Sequence, residues 1–184
     1  MIKHIRQASF LLATVLELSF NPCAEAGDAP GVGTSAPDFT LPYATKDTID
    51  HTGLKLSEMI GKDIIILAFY PADWSGGCTK EMCTIRDNFA ALSDLGAAVF
   101  GISGDYTYSH HEWAKHHNLQ FALLGDHTHE VAKAYGSYNA HSGYNMRTIF
   151  VIDRKGIVVY VDMAYKAGTP ESFEKLKSSL ADLK

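Results

Sequence analysis

The sequence predicts an α/β protein in which helices cover both faces of a central sheet. Apolar, β-branched and aromatic runs at 63–70 and 97–103 indicate strands that are buried on both faces. Segments with helical periodicity follow each run, and such alternation gives a sheet between two helical layers. The length of 184 residues, with 46% apolar and 20% charged side chains, is typical of one globular domain.

The first half of the predicted domain leads to the longest helix. Residues 36–41 predict an edge strand and residues 56–60 a short helical turn, and the residues between them, 42–53, are polar with a turn at Gly53. The strand at 63–70 precedes a helix over 78–95, which Gly96 ends. The apolar stripe of that helix consists of Met82, Ile85, Phe89 and Leu92.

The alternation continues in the second half. Predicted strands cover 97–103 and 121–124, and each precedes a predicted helix, at 107–117 and 128–135. The chain then closes with two strands and a helix. The first strand runs from Met146 or Arg147 to Asp153 and the second over 157–163, and the helix starts at Pro170 after the N-cap Thr169. A closing hairpin followed by a helix predicts a thioredoxin-like fold with a central mixed sheet.

The N-terminus has the three-part pattern of a secretory signal peptide. A short positive segment with Lys3 and Arg6 precedes the mostly apolar residues 8–16, and Ala24-Glu25-Ala26 forms a small-x-small site. Glu17 interrupts the apolar part and favours an alternative, an amphipathic helix that is retained in a cytoplasmic protein.

We therefore expect three segments: a signal peptide at 1–26, a flexible leader at 27–35 and a domain at 36–184. The protein is expected to be exported, to the periplasm or another extracytoplasmic space. A net charge of −5 without a basic block gives little support to nucleic-acid binding. No stretch reaches the roughly 18 apolar residues of a membrane-spanning helix.

Cys78 is the most informative residue. It follows the turn Ser75-Gly76-Gly77 at the start of the predicted helix, where backbone N–H groups and the helix dipole stabilise a thiolate. Cys83 follows five residues later, and Cys23 would leave with the signal peptide. An exported protein with two close cysteines is not a disulfide scaffold, so a reactive pair is predicted. The alternative, a small buried hydrophobe, suits Cys83 better than Cys78.

The helix constrains any bond between the two cysteines. On one helix they lie about 7.5 Å apart along the axis and about 140° apart around it, with Cα atoms roughly 8 to 9 Å apart. A disulfide needs Cα atoms within about 7 Å. A bond between them would therefore require local unwinding, and the site would have a folded and an unwound state.

The same residues resemble a known family. Pro71-x-x-x-Ser75-x-x-Cys78 is similar to the Pro-x-x-x-Thr/Ser-x-x-Cys signature of the peroxiredoxins, the alkyl hydroperoxide reductase/thiol-specific antioxidant family. The stretch 77–87 resembles the bacterioferritin-comigratory-protein or peroxiredoxin Q subgroup in particular. The resemblance extends from about residue 33 to about residue 180.

The resemblance implies roles for the residues that match. Cys78 would be the peroxidatic cysteine, which peroxide converts to a sulfenic acid, and Cys83 the resolving cysteine, which forms an intramolecular disulfide with it. Ser75 stands where threonine is commoner, and its hydroxyl would bond the thiolate and the peroxide; alternatively it is a turn or N-cap serine. Pro71 would shield the thiolate from water or simply end the strand.

Three further positions are implied. Arg147 would stabilise the thiolate and the charge on the leaving oxygen. Glu81 is a secondary candidate that would orient Arg147 or complement the helix N-terminus. Trp74 would shape substrate access or seal the pocket.

The family resemblance also implies what the protein acts on. We expect a thiol-dependent peroxidase of the atypical two-cysteine type, without a cofactor or a metal. Its partners would be a hydrogen peroxide or organic hydroperoxide substrate and a thioredoxin-like or other thiol reductant. A monomer or a weak homodimer is expected.

Two alternatives remain at this point. A thiol–disulfide oxidoreductase would normally show Cys-x-x-Cys, which is absent from the sequence. A metal-binding protein would use the histidines, but their spacing does not place ligands on one helical face. We therefore expect a solvated helix face rather than a metal site. These histidines are His110, His111, His116, His117, His127 and His129.

Overall fold

The computed structural model describes residues 29–181 and 183. The predicted signal peptide lies outside the described residues. The main sheet has seven strands in the order β2-β1-β5-β4-β3-β8-β9, and β6 pairs with β7 as a separate hairpin. The strands are β1 (Thr40–Ala44), β2 (Ile49–Lys55), β3 (Ile64–Phe69), β4 (Ala97–Ser103), β5 (Ala122–Gly125), β6 (Tyr138–Asn139), β7 (Tyr144–Asn145), β8 (Thr148–Ile152) and β9 (Val158–Asp162).

The sheet is mixed. Strands β3, β4 and β5 are parallel to one another, whereas β8 and β1 join this group in antiparallel fashion at either side. The helices are α1 (Leu56–Met59), α2 (Gly76–Asp87), α3 (Phe89–Asp94), α4 (Thr107–His117), α5 (Glu130–Ala134) and α6 (Pro170–Ala181).

Helices cover both faces of the sheet. The core on one face contains side chains of α2, α3, α4 and α6, and the core on the other contains side chains of α1 and α5. Along β3, residues 64, 66 and 68 face the first core and residues 65, 67 and 69 the second, all of them buried. This architecture confirms the predicted fold class.

The prediction of one continuous helix over 78–95 is wrong. The helix is broken at Asn88, which separates α2 from α3 with φ −110° and ψ 10°. The Asn88 side chain donates to the carbonyl oxygen of Thr84 at 2.8 Å. This local bond lets the asparagine end α2. Met82, Ile85 and Leu92 are nonetheless all buried, as their spacing predicts.

The sequence predicted no strand within the polar residues 42–53, but β1 and β2 form a hairpin there. The pairing register shifts between Leu41 and Tyr43, which accommodates Pro42. Gly53 has a φ of +96°, and a Cβ there would lie 2.8 Å from the Thr40 side chain. One edge of the sheet is therefore β2, and β1, which was predicted to be an edge strand, lies between β2 and β5.

The segment expected to be a flexible leader is bonded to the domain in its described part. Gly33 N donates to Val158 O at 2.8 Å, and Val158 N donates to Thr34 O at 2.9 Å. These bonds hold the chain alongside β9. In the described part of the chain, the helices are all too short or too polar to span a membrane.

Candidate active site

The local sequence places Cys78 in the first turn of α2. The strand β3 ends at Phe69, and Tyr70 N still donates to Ile102 O at 3.0 Å before the chain leaves the sheet. Ser75 is the N-cap, and its Oγ accepts a hydrogen bond from Cys78 N at 3.4 Å. The Cys78 side chain is fully buried. The sulfur thus lies at the positive end of the helix dipole, where negative charge is stabilised.

Arg147 reaches this sulfur through strand pairing. Strand β8 runs antiparallel to β3 with Thr148 opposite Phe69, so Arg147 lies beside the loop that precedes α2. Its Nη2 is 3.6 Å from Cys78 Sγ. A Cβ at Gly77 would lie 3.1 Å from the same Nη2, so the missing side chain lets the guanidinium approach.

Glu81 holds the other side of the guanidinium. It lies one turn after Cys78, is buried, and accepts a hydrogen bond from Arg147 Nη1 through Oε2. Its Oε1 has no partner among the described residues. Burial raises the pKa of Glu81 from 4.5 to about 7, although the charge and hydrogen bond of Arg147 lower it.

The guanidinium itself stays charged. Burial alone would lower the pKa of Arg147, but the neighbouring Glu81 and Cys78 raise it above the ordinary value. A permanent cation therefore faces the sulfur. Such a group stabilises both a thiolate and the negative charge that forms when an O–O bond breaks.

The loop before α2 carries the remaining predicted residues. Pro71 is half-buried directly after Tyr70. Trp74 has a left-handed φ of 61° and is 53% exposed. Its indole N–H donates to Ser109 Oγ at 3.3 Å, so the side chain connects the loop to α4. Left-handed non-glycine residues persist where their surroundings hold them and are concentrated at functional sites.

Cys83 lies in the same continuous helix as Cys78. Both cysteines are free, and α2 runs unbroken through them. Cys83 is half-buried, and its Sγ is 3.9 Å from His117 Nδ1. Because the helix is intact, the two sulfurs belong to the state in which the pair is not bonded.

A buried polar network under the loop was missed at the sequence level. The Asp73 carboxylate accepts hydrogen bonds from Tyr70 OH and Ser109 Oγ, both at 2.8 Å, and lies 2.9 Å from His110 Nδ1. Burial raises the pKa of Tyr70 well above its ordinary value, as does Asp73, so the phenol remains a donor. These bonds fix the loop that carries Ser75.

A second carboxylate holds the loop backbone. Asp105 Oδ2 accepts from Asp73 N and from Ser103 Oγ, each at 2.8 Å. The loop before Cys78 is therefore tied to β4 and α4 through two buried or half-buried acids. Sequence reasoning gave no weight to either one.

The expectation of a solvated histidine face is wrong for His110, which is fully buried. Its Nε2 lies 3.2 Å from Leu124 O. The signal was present in the sequence, because His110 precedes Trp113 and Ala114 by three and four residues, and both face the core. Across residues 29–181 and 183, no three His, Cys, Asp or Glu side chains are grouped to hold a metal ion.

A thioredoxin-like sheet with a buried cysteine in the first turn of α2, beside an arginine, defines a cysteine-centred protein of the thioredoxin fold. A model of the AhpC/TSA family matches residues 32–161. The chain belongs to this family. The family resemblance predicted from the residues around Cys78 is thereby confirmed.

Individual relatives agree with this assignment. A chloroplastic peroxiredoxin Q from Triticum aestivum is 41% identical over 130 residues, which are 70% of this chain and 57% of the relative. A peroxiredoxin bcp from Coxiella burnetii is 38% identical over 133 residues, which are 69% of this chain and 84% of the relative. The chain thus spans little more than half the length of its plant relatives.

Solved structures show the same fold. Peroxidoxin BcpB from Mycobacterium tuberculosis has a TM-score of 0.71 and 28% identity, over 84% of this chain and 99% of that chain. The Plasmodium yoelii thioredoxin peroxidase I has a TM-score of 0.75 at 22% identity, over 83% of this chain and 90% of that chain. The latter likeness concerns the fold alone.

Proposed function

We propose that this protein is a thiol-dependent peroxidase that reduces hydrogen peroxide and organic hydroperoxides through Cys78. The observation that carries the proposal is the buried Cys78 sulfur in the first turn of α2, 3.6 Å from the Arg147 guanidinium. The similarity to peroxiredoxins supports it. Neither the oxidoreductase nor the metal-binding alternative is favoured by these relatives.

In the first step the Cys78 thiolate attacks one oxygen of the peroxide. The S–O bond forms as the O–O bond breaks, so the sulfur is oxidised to a sulfenic acid and the other oxygen leaves as water or an alcohol after taking a proton. Arg147 stabilises the thiolate before the step and the leaving oxygen during it. Ser75 Oγ, the N-cap beside Cys78 N, supplies a hydroxyl at the same place.

Pro71 and Glu81 support this chemistry indirectly. Pro71 limits the access of water to the sulfur in this proposal, which is the role that the family resemblance implies. Glu81 holds Arg147 through Nη1 and leaves Nη2 directed at Cys78. Glu81 is accordingly a positioning residue in this proposal.

In the second step the Cys83 thiol condenses with the sulfenic acid. The S–S bond forms, the S–O bond breaks and water leaves. Because Cys78 and Cys83 lie in one intact helix, part of α2 must unwind before the sulfurs meet. A thioredoxin-like or other dithiol then reduces the disulfide and restores both thiols.

The compartment and assembly complete the proposal. Residues 1–26 would direct the chain out of the cytoplasm, with removal after Ala26, and the periplasm is our proposed location. The plant relatives are named chloroplastic, so a leader that directs a relative to another compartment has a precedent in the family. Mass spectrometry of the mature N-terminus tests this point.

We propose a monomer or a weak homodimer, which sedimentation tests.

The function is tested by counting thiols after peroxide treatment of the reduced protein. Addition of hydrogen peroxide should remove both thiols of the Cys78–Cys83 pair in the unaltered protein, and should leave the remaining Cys83 thiol intact in Cys78→Ser. In Cys83→Ser, peroxide should still oxidise the remaining thiol, Cys78. Repetition with tert-butyl hydroperoxide measures the substrate range. Two titratable thiols left after peroxide would overturn the proposal.

A further inference from the structure

The C-terminal end of α4 contacts α2 at Cys83. His117 is the last residue of α4, and its Nδ1 lies 3.9 Å from Cys83 Sγ. In addition, Arg86 Nη1 donates to the carbonyl oxygen of His117 at 2.8 Å. The imidazole is thus placed against the sulfur by side-chain and main-chain contacts from both helices.

Aromatic rings fix the orientation of this imidazole. The ring of Trp113 meets it edge-on at 5.9 Å between centroids, and the rings of Trp74 and His116 lie at 6.4 and 4.7 Å. The side chain is half-buried, so it keeps a route for protons to and from solvent. The surroundings therefore hold the ring without sealing it.

The charges around the ring favour its neutral form. Burial lowers the pKa of His117 below 6.5, and the nearby His116 on α4 and Arg86 on α2 lower it further. Above about pH 7 the imidazole is therefore neutral. With the ring proton on Nε2, the Nδ1 lone pair is free to accept the thiol proton of Cys83.

We propose that His117 is the general base of the resolving step, which deprotonates Cys83 so that its thiolate attacks the Cys78 sulfenic acid. This inference rests on the proposed peroxidase function. The proton moves from Cys83 Sγ to His117 Nδ1, the S–S bond forms and the S–O bond breaks. The departing hydroxide takes one proton, which the imidazolium returns, so that water leaves and no further oxidant or reductant is needed.

The same contacts indicate which sulfur moves. Cys83 is held at α4 by His117 and by the neighbouring Arg86 bond, whereas the first turn of α2 is capped by one long hydrogen bond from Cys78 N to Ser75 Oγ. First turns of helices fray more readily than helix interiors. Cys78 is therefore the residue that moves when the helix unwinds, and Cys83 stays beside His117.

Single-turnover kinetics test the role of His117. Reduced protein is mixed with one equivalent of hydrogen peroxide, and sulfenic acid and disulfide are trapped over time and quantified by mass spectrometry. His117→Asn keeps a polar atom near the Nδ1 position, but its amide cannot act as a base. It should leave sulfenic acid formation unchanged and slow disulfide formation by at least about tenfold at pH 7.

The pH profile separates a base from a merely structural residue. In the unaltered protein the resolving rate should be nearly constant between about pH 7 and 8, where the imidazole is neutral. In His117→Asn it should rise with pH, by up to about tenfold per unit, because solvent alone ionises the thiol. Added imidazole should restore part of the rate in His117→Ala. His141→Gln, at an exposed histidine, is the matched control and should behave as the unaltered protein.

The outcomes distinguish this inference from the function on which it rests. If sulfenic acid forms in the unaltered protein, and His117→Asn forms disulfide at the original rate with the original pH profile, the role of His117 is overturned. If no sulfenic acid forms even in the unaltered protein, the peroxidase function fails instead. The pH profile of the unaltered protein keeps the test valid should His117→Asn fold poorly.

Discussion

The two cysteines of α2 have opposite surroundings, although they are five residues apart. Cys78 is fully buried, at the helix N-terminus, and faces a permanently charged arginine. Cys83 is half-buried in the helix interior and faces His117, whose pKa is lowered by burial and by the neighbouring His116 and Arg86. The helix thus places one sulfur beside a fixed positive charge and the other beside an imidazole.

This difference assigns an order to the chemistry. In the proposed peroxidase, Cys78 attacks the peroxide first, because Arg147 beside it stabilises negative charge. Cys83, beside its proposed base His117, acts only in the later condensation. The variants below alter one environment at a time, and the largest effects are expected nearest the Cys78 loop.

Asp73→Ala should destabilise the protein most. It removes the carboxylate that Tyr70, Ser109 and His110 share, and leaves buried polar groups without partners. Each buried polar group that is left without a partner costs about 1–3 kcal/mol. Urea unfolding should show this decrease, whereas Asp94→Ala, at an exposed carboxylate, should not. Equal stability of the two variants would show that the network does not anchor the loop.

Arg147→Gln should slow sulfenic acid formation about 10²- to 10³-fold, as expected when a donor to a developing oxyanion is lost. Arg147→Lys keeps the charge but cannot contact Glu81 and Cys78 with two separate nitrogens, so an intermediate rate is expected. Rapid-mixing measurements at several peroxide concentrations give these rates. An unaltered rate in Arg147→Gln would show that the arginine does not accelerate sulfenic acid formation.

Glu81 gives a pH dependence of stability with a defined sign. Its pKa is raised by burial from 4.5 to about 7, so the folded protein prefers the protonated acid. The contribution of Glu81 is fully present below about pH 4.5 and is lost as the pH rises to about 7, a change of about 3 kcal/mol.

Denaturant unfolding from pH 4 to 8 checks this change. Relative to Glu81→Gln, which does not ionise, the unaltered protein should lose stability across that interval. A constant difference between the two proteins would mean that Arg147 keeps Glu81 ionised throughout.

Ser75→Ala should have the smallest effect on stability. The variant loses the N-cap acceptor of Cys78 N, which typically costs about 1 kcal/mol of stability. Ser75→Thr keeps the hydroxyl and adds a methyl that restricts its rotamer, so its stability should match or exceed that of the unaltered protein. Thermal unfolding compares the three proteins, and equal stability of the alanine variant would contradict the capping role.

Much of the fold follows from local patterns. Helix α4 coincides with the predicted range 107–117, and β3 lies within the predicted range 63–70. Both segments have a periodicity that a single element satisfies. The β1–β2 hairpin could not be read in the same way, because Pro42 and Gly53 favour a loop until the pairing of the two strands is known.

Prediction of the site from the sequence is likewise limited to residues that are close together in the chain. The cysteine at a helix start is visible in the sequence, because the turn Ser75-Gly76-Gly77 and Cys78 are contiguous. Arg147 is 69 residues away and comes near only through the antiparallel pairing of β8 with β3, so its place was suggested by family resemblance alone. His117 reaches Cys83 through the packing of α4 on α2, which no local pattern encodes.

The central claim is that Cys78 reacts first and Cys83 second. The most direct measurement adds one equivalent of hydrogen peroxide to the reduced protein in the presence of a sulfenic acid trap, followed by peptide mapping over time. Trapped sulfenic acid should appear on Cys78 alone, and an intramolecular Cys78–Cys83 disulfide should replace it. Sulfenic acid trapped on Cys83, or a disulfide that appears in Cys78→Ser, would contradict the account.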